Sequence, residues 1–205
     1  MDFFQRDKGI LEGDREKGLI KKSLKGVDLL EITLRQETDK DYQTIERVVE
    51  ESFRGEEYSD GTEHLLVDKL RKSNGFVPEL SLVAEVEGNI IGHIMLTRLS
   101  IKNGEKEYES LSLAPLSVLP SYQNQGVGSK LTRMSLKIAK ELGFKSVVVV
   151  GHEKYYPRFG FKPARLWGIK APFDVPKEAF MALELEEKSL EGVSGIALFP
   201  REFFE

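Results

Sequence analysis

The sequence contains no cysteine. Disulfide frameworks, thiolate metal sites and acyl-cysteine intermediates are therefore excluded. Histidine is scarce, and His64, His93 and His152 show no metal-ligand spacing. No run approaches the ~18 apolar residues of a membrane span. The opening MDFFQRDKGILEGDREKG lacks the apolar segment of a secretory leader. Charge of one sign is lacking too: a net charge of −4 over 205 residues gives no basic footprint for nucleic acid. The expectation is a cytoplasmic protein with no metal, no nucleic-acid partner and no membrane partner. What is present is 40% hydrophobic residues, enough for one domain with a real core.

Residues 1–27 are charged and interrupted by Gly9, Gly13, Gly18 and Gly26. They are expected to form an extension, mobile or folded into short helices, outside a domain spanning 28–205. Leu30 to Gln36 alternates as a half-buried strand. Thr38-Asp39 caps a helix carrying Tyr42, Ile45, Val48, Val49 and Phe53, and an acidic loop follows over 55–61. Glu63 to Arg71 reads as a second short helix. Strands are predicted over 80–86, 90–101 and 107–119, joined by turns at Gly88-Asn89 and Asn103-Gly104. A helix from about Val127 to Gly143 leads to the four-valine run Val147–Val150, the pattern of a strand buried on both faces. Further strands are expected at 179–185 and around 196–199. The order is an antiparallel meander followed by a parallel βαβ unit, which makes the chain an α/β protein with a mixed sheet (α+β mixed).

The most informative segment is Gln123-Asn124-Gln125-Gly126-Val127-Gly128, between a strand and a helix. Backbone N–H groups in a helix's first turn have no partner within the helix, and the macrodipole makes that end an anion site. A Walker loop needs lysine directly after the last glycine, whereas Ser129 comes first and Lys130 second. A dinucleotide fingerprint needs a small residue at 131, which is leucine. Pro115 lies inside the preceding strand and cannot donate to a ladder, so that strand leaves a neighbour near this point. Main-chain groups of Leu116 to Val118 are then free to pair with an extended, amide-bearing ligand.

These residues carry a family resemblance. The Gln-x-x-Gly-x-Gly loop, after antiparallel strands and before a helix and a parallel strand, resembles motif A of the GCN5-related N-acetyltransferases (GNAT superfamily). The segments AEVEGNIIGHI (84–94), LSVLPSYQNQGVGSKL (116–131), VVVVGHEKYYPRFGF (147–161) and FMALELEEKSLEGVSG (180–195) resemble its YhbS-like branch. The resemblance covers roughly residues 30–200 and implies the GNAT fold with splayed strands and acetyl-CoA as co-substrate. It implies that the N–H groups of Gln125, Gly126, Val127, Gly128 and Ser129 hold the pyrophosphate, with Gln123 beside it. Leu116 and Val118 would bond the pantetheine and polarise the thioester carbonyl, and Lys130 and Arg133 would screen the 3′-phosphate.

Transfer to an amine requires a neutral amine, a stabilised oxyanion and a proton for the leaving thiolate. The resemblance makes Tyr156, four residues before Gly160, the general acid, with Tyr155 the weaker candidate. Glu63 is the leading base and His152 an alternative, while His93 reads as a core residue. The function implied is acetyl transfer to a primary amine by direct attack in a ternary complex. The acceptor is a small molecule or a peptide, and the protein a monomer or homodimer. The other class is a non-catalytic CoA-binding or regulatory module on the same fold.

Overall fold

The computed structural model describes residues 31–56 and 59–205. The extension over 1–27, Leu30 at the start of the first expected strand, and Glu57 of the acidic loop lie outside the described residues.

The chain runs β1 (Thr33–Gln36), α1 (Tyr42–Phe53), α2 (Glu63–Arg71), β2 (Phe76–Val86), β3 (Asn89–Asn103), β4 (Lys106–Val118), α3 (Val127–Glu141) and β5 (Ser146–Val150). Four short strands follow: β6 (Lys162–Pro163), β7 (Ile169–Lys170), β8 (Phe180–Glu184) and β9 (Gly195–Leu198). The sheet order is β1-β2-β3-β4-β5-β8-β6, with β9 pairing both β3 and β7. The fold is therefore a mixed α/β sheet, as the sequence pattern implies.

The helix periods decide the layers. Ile45, Val48 and Val49 of α1 and Val67 and Leu70 of α2 bury against Val83 and Met95 on one face. Val127, Leu131, Ile138 and Ala139 of α3 bury against Leu82, Ala84, Ile94, Leu96 and Leu111 on the other. Each such fully buried aliphatic chain contributes about 1.5–3 kcal/mol. The valine run behaves as its composition predicts up to its last residue: Val147 and Val149 join the α3 side, Val148 packs with Leu99, Ile101, Phe180 and Ala182 opposite, and Val150 is exposed.

One turn differs from the expectation. Val86 pairs with Asn89, so the β2–β3 loop is Glu87-Gly88, not Gly88-Asn89. Both loop residues are left-handed, with φ 51° and 79°, which matches the right-handed twist of a two-residue hairpin. Asn89 is thereby released to open β3. β2 also begins earlier than predicted, at Phe76, which pairs with Thr97; the strand tolerates Pro78 because the β2–β3 register is interrupted between Phe76 and Ser81.

Candidate active site

β4 and β5 are parallel neighbours at only two registered positions, Leu111 with Val147 and Ser112 with Val148. Beyond them β5 continues with β8 through Val149–Met181 and Val150–Phe180. β4 continues with β3 through Ile94–Leu116, His93–Ser117 and Gly92–Val118. The strands separate at a bulge: Ala114 and Pro115 together oppose Met95. An extra residue bends the bulged strand, and proline removes a ladder donor at the same place.

The bend leaves one edge of β4 open. The Leu119 N–H bonds the Ile91 carbonyl of β3 at 2.9 Å. Main-chain groups alternate along a strand, so those of Leu116 and Val118 point the other way, into the gap between β4 and β5. The Gln123 side-chain amide donates to the Val118 carbonyl at 3.2 Å, and that of Gln125 donates to the Ser121 carbonyl at 2.8 Å. These bonds close the loop back onto the strand end.

The loop delivers its N–H groups to the same place. Asn124 (φ 59°) and Gly126 (φ 84°) are left-handed, and Gly126 is the N-cap of α3. The first helical bond is Lys130 N–H to Gly126 carbonyl at 3.0 Å. The N–H groups of Gln125, Gly126, Val127, Gly128 and Ser129 have no backbone acceptor among the described residues. The helix can approach because Gly92 lies beneath it. A Cβ there would stand 3.2 Å from Val127 and Leu131 side-chain carbons and 3.0 Å from the Ser117 carbonyl.

Past β5 the chain turns through Gly151 into a short 3-10 turn, Tyr156–Phe159. The Tyr155 and Tyr156 N–H groups both reach the His152 carbonyl, at 2.9 and 3.4 Å. The Tyr156 ring packs against Gly151 so closely that no Cβ would fit, and meets Phe161 edge-on at 5.6 Å. Only 8% of Tyr156 is exposed. Burial pushes its phenol well above the usual value, with Tyr155 adding to the effect, so it stays protonated at neutral pH. His152 is exposed. Arg133 lies over the Phe159 ring at 5.2 Å.

Glu63 is the first residue of α2, half-buried, on the opposite face of the sheet from α3. No hydrogen bond or ion pair joins it to Tyr156 or to the loop among the described residues. The structure thus gathers Leu116, Val118, the loop and the tyrosine pair, and leaves Glu63 on a separate element.

The sequence reading missed a buried polar cluster on that face. Arg71 grips Glu37 with two bonds of 2.9 Å, and its guanidinium carbon stands 4.0 Å from the Tyr42 ring centroid. His93 is fully buried, its Nε2 3.3 Å from Glu37 Oε2 and 3.0 Å from Ser81 Oγ. Burial holds His93 below its ordinary range, against the pull of Glu37, so the ring is neutral. Burial alone would raise Glu37, but hydrogen bonds from His93 and Arg71 outweigh it and hold the carboxyl at about 2. No local signal could have found this set, because its members are far apart in the chain.

The cluster gives a pH dependence. Both depressed groups bind more protons in the unfolded chain, so both stabilise the fold fully above their unfolded values. Acidification should lower the melting temperature below about pH 6.5 through His93 and more steeply between about 4.5 and 2 through Glu37. Thermal melts from pH 7.5 to 3 check this; a flat profile across that range contradicts the assigned charge states.

The Acetyltransferase (GNAT) family pattern matches residues 41–161, from the start of α1 through the loop and the tyrosine pair. The chain belongs to the GNAT family. It is 43% identical over 115 residues to the uncharacterized N-acetyltransferase YjhQ of Escherichia coli strain K12, a match spanning 55% of this chain and 63% of YjhQ. Among solved structures it is similar to Escherichia coli YhbS in complex with CoA, with TM-score 0.78 and 25% identity over 88% of this chain and 96% of that one. A GNAT acetyltransferase from Brucella melitensis in complex with acetyl-CoA gives TM-score 0.70 and 32% identity, covering 85% of this chain and 99% of the other. The GNAT segment thus includes the bulged β4, the loop and Tyr155-Tyr156. No helix among the described residues is long and apolar enough to cross a membrane.

Proposed function

We propose that residues 28–205 form an N-acetyltransferase domain that moves an acetyl group from acetyl-CoA to a primary amine by direct attack in a ternary complex. The observation that carries this reading is the open β4 edge lying beside the unpartnered N–H groups of α3, with Tyr155 over that turn and the buried, protonated Tyr156 packed against Tyr155 at 5.1 Å. The bound CoA and acetyl-CoA of the two structural neighbours support the choice of co-substrate.

Acetyl-CoA supplies an activated thioester. The N–H groups of Gln125, Gly126, Val127, Gly128 and Ser129 are assigned to its pyrophosphate, with the Gln123 side chain at the border. The main-chain groups of Leu116 and Val118 bond the amide-bearing arm in the manner of an added strand. The Val118 N–H is aimed at the side where oxyanion charge develops, and a preorganised donor there stabilises the transition state more than the ground state. Tyr156 donates its proton to the leaving thiolate; burial keeps that proton in place until the thiolate forms. Glu63 takes the proton of the attacking amine. Its position in the first turn of α2, free of any ion pair among the described residues, and the acidic residues Glu56 and Asp60 in the preceding loop favour a cationic acceptor.

The test is release of free thiol from acetyl-CoA against a panel of small amines, amino sugars, N-terminal peptides and lysine peptides. The expected result is release above background with one acceptor class. CoA binding without release with any amine would instead establish the non-catalytic module.

A further inference from the structure

Gly128 has an ordinary helical backbone, so its conformation does not require glycine. Its surroundings leave room for a side chain only if a neighbour moves. A Cβ at 128 would stand 2.8 Å from the Tyr155 hydroxyl oxygen and 3.6 and 3.8 Å from side-chain carbons of Val118 and Leu116. The phenol of Tyr155 therefore lies over the first turn of α3, where that turn meets the open edge of β4.

Two further features single out this hydroxyl. It makes no hydrogen bond among the described residues, although its oxygen faces a turn whose N–H groups are also unpartnered. Its ring, by contrast, is held firmly. Tyr156 meets it edge-on at 5.1 Å, Phe159 packs at 5.3 Å, and the Arg158 guanidinium carbon stands 4.7 Å from its centroid. An ordered ring that presents a free donor beside free N–H groups is arranged to complete the coordination of one anion.

We infer that Tyr155 is a cofactor-binding residue whose hydroxyl donates a hydrogen bond to the pyrophosphate held by the α3 N-terminus, and that Gly128 is glycine to admit that hydroxyl. The inference rests on the acetyl-CoA reading above. It divides the tyrosine pair: Tyr156 serves the reacting sulfur and Tyr155 the phosphates.

The experiment is calorimetric titration of CoA into the wild-type chain and into Tyr155→Phe, which keeps the ring and its packing. Loss of one hydrogen bond to a charged group predicts affinity about tenfold weaker, with the melting temperature unchanged. In the acetyl-transfer assay the Michaelis constant for acetyl-CoA should rise by the same factor, with kcat within about twofold. With S-acetylpantetheine, which lacks the pyrophosphate, the two proteins should behave alike. Gly128→Ala, which pushes the hydroxyl aside, should weaken CoA binding in the wild-type background and much less in the Tyr155→Phe background. Equal CoA affinity of wild type and a folded Tyr155→Phe protein would overturn the inference. So would an equal loss with S-acetylpantetheine, or a fall in kcat at constant Michaelis constant. Failure of the wild-type chain itself to bind CoA would remove the acetyl-CoA reading and this inference with it.

Discussion

Replacing Tyr156 with phenylalanine is expected to lower kcat by about 10²-fold or more, the usual contribution of a positioned general acid. Affinity for acetyl-CoA should stay within about twofold, because the assigned role arises only as the thiolate leaves. Phenylalanine keeps the ring that packs on Gly151 and Phe161, so the melting temperature should barely change. The pH profile supplies a second readout. The phenol is raised by burial, so the wild-type rate should climb as the amine deprotonates and show no fall near pH 10, where an ordinary tyrosine ionises. Turnover unchanged in the variant would end the acid assignment, whereas a wild-type alkaline limb near 10 that vanishes in the variant would keep the acid and remove only the effect of burial on its phenol. Tyr155→Phe is the natural control, since its expected effect falls on the Michaelis constant instead.

The second large effect concerns stability. Arg71→Leu should destabilise the fold by about 3–5 kcal/mol, the usual penalty for leaving one member of a buried ion pair without its partner. The Arg71 and Glu37 side chains are each only 3% exposed, so water cannot compensate the stranded carboxylate. Adding Glu37→Gln should recover part of the loss, because a neutral amide is cheaper to bury. The exposed pair Lys72–Asp68 at 2.7 Å, at the C-terminal end of α2, provides the contrast: Asp68→Asn should change stability by less than about 1 kcal/mol. Urea denaturation of the variants measures all three. If Arg71→Leu cost no more than Asp68→Asn, the buried cluster would have no special role in holding α2 to the sheet.

Much of this protein follows from local chemistry that a single sequence displays. The periods of α1, α2 and α3 determined which faces are buried, because 3.6-residue spacing puts Ile45, Val48 and Val49 on one side whatever they pack against. Three of the four consecutive valines, Val147 to Val149, form the doubly buried strand that the run predicts, while Val150 at its end is exposed. Gln123 to Gly128 determined a turn that opens into a helix N-terminus, since the donors and the left-handed glycine are properties of the segment itself. Pro115 located the bulge, because the missing donor is carried by the residue.

Tertiary structure decided the rest, and the reason in each case is distance along the chain. The direction in which Leu116 and Val118 point depends on which edge of β4 is taken by β3, a matter of register set by Ile91 and Ile94 on the neighbouring strand. The Glu37–Arg71–His93 cluster joins three elements and has no signature in any one of them. Spacing to Gly160 marked Tyr156 as the family's acid, but only the packing of the turn against α3 placed the Tyr155 hydroxyl over Gly128. Nothing local to the loop shows that a Cβ at 128 would meet the hydroxyl of a phenol 27 residues further along the chain.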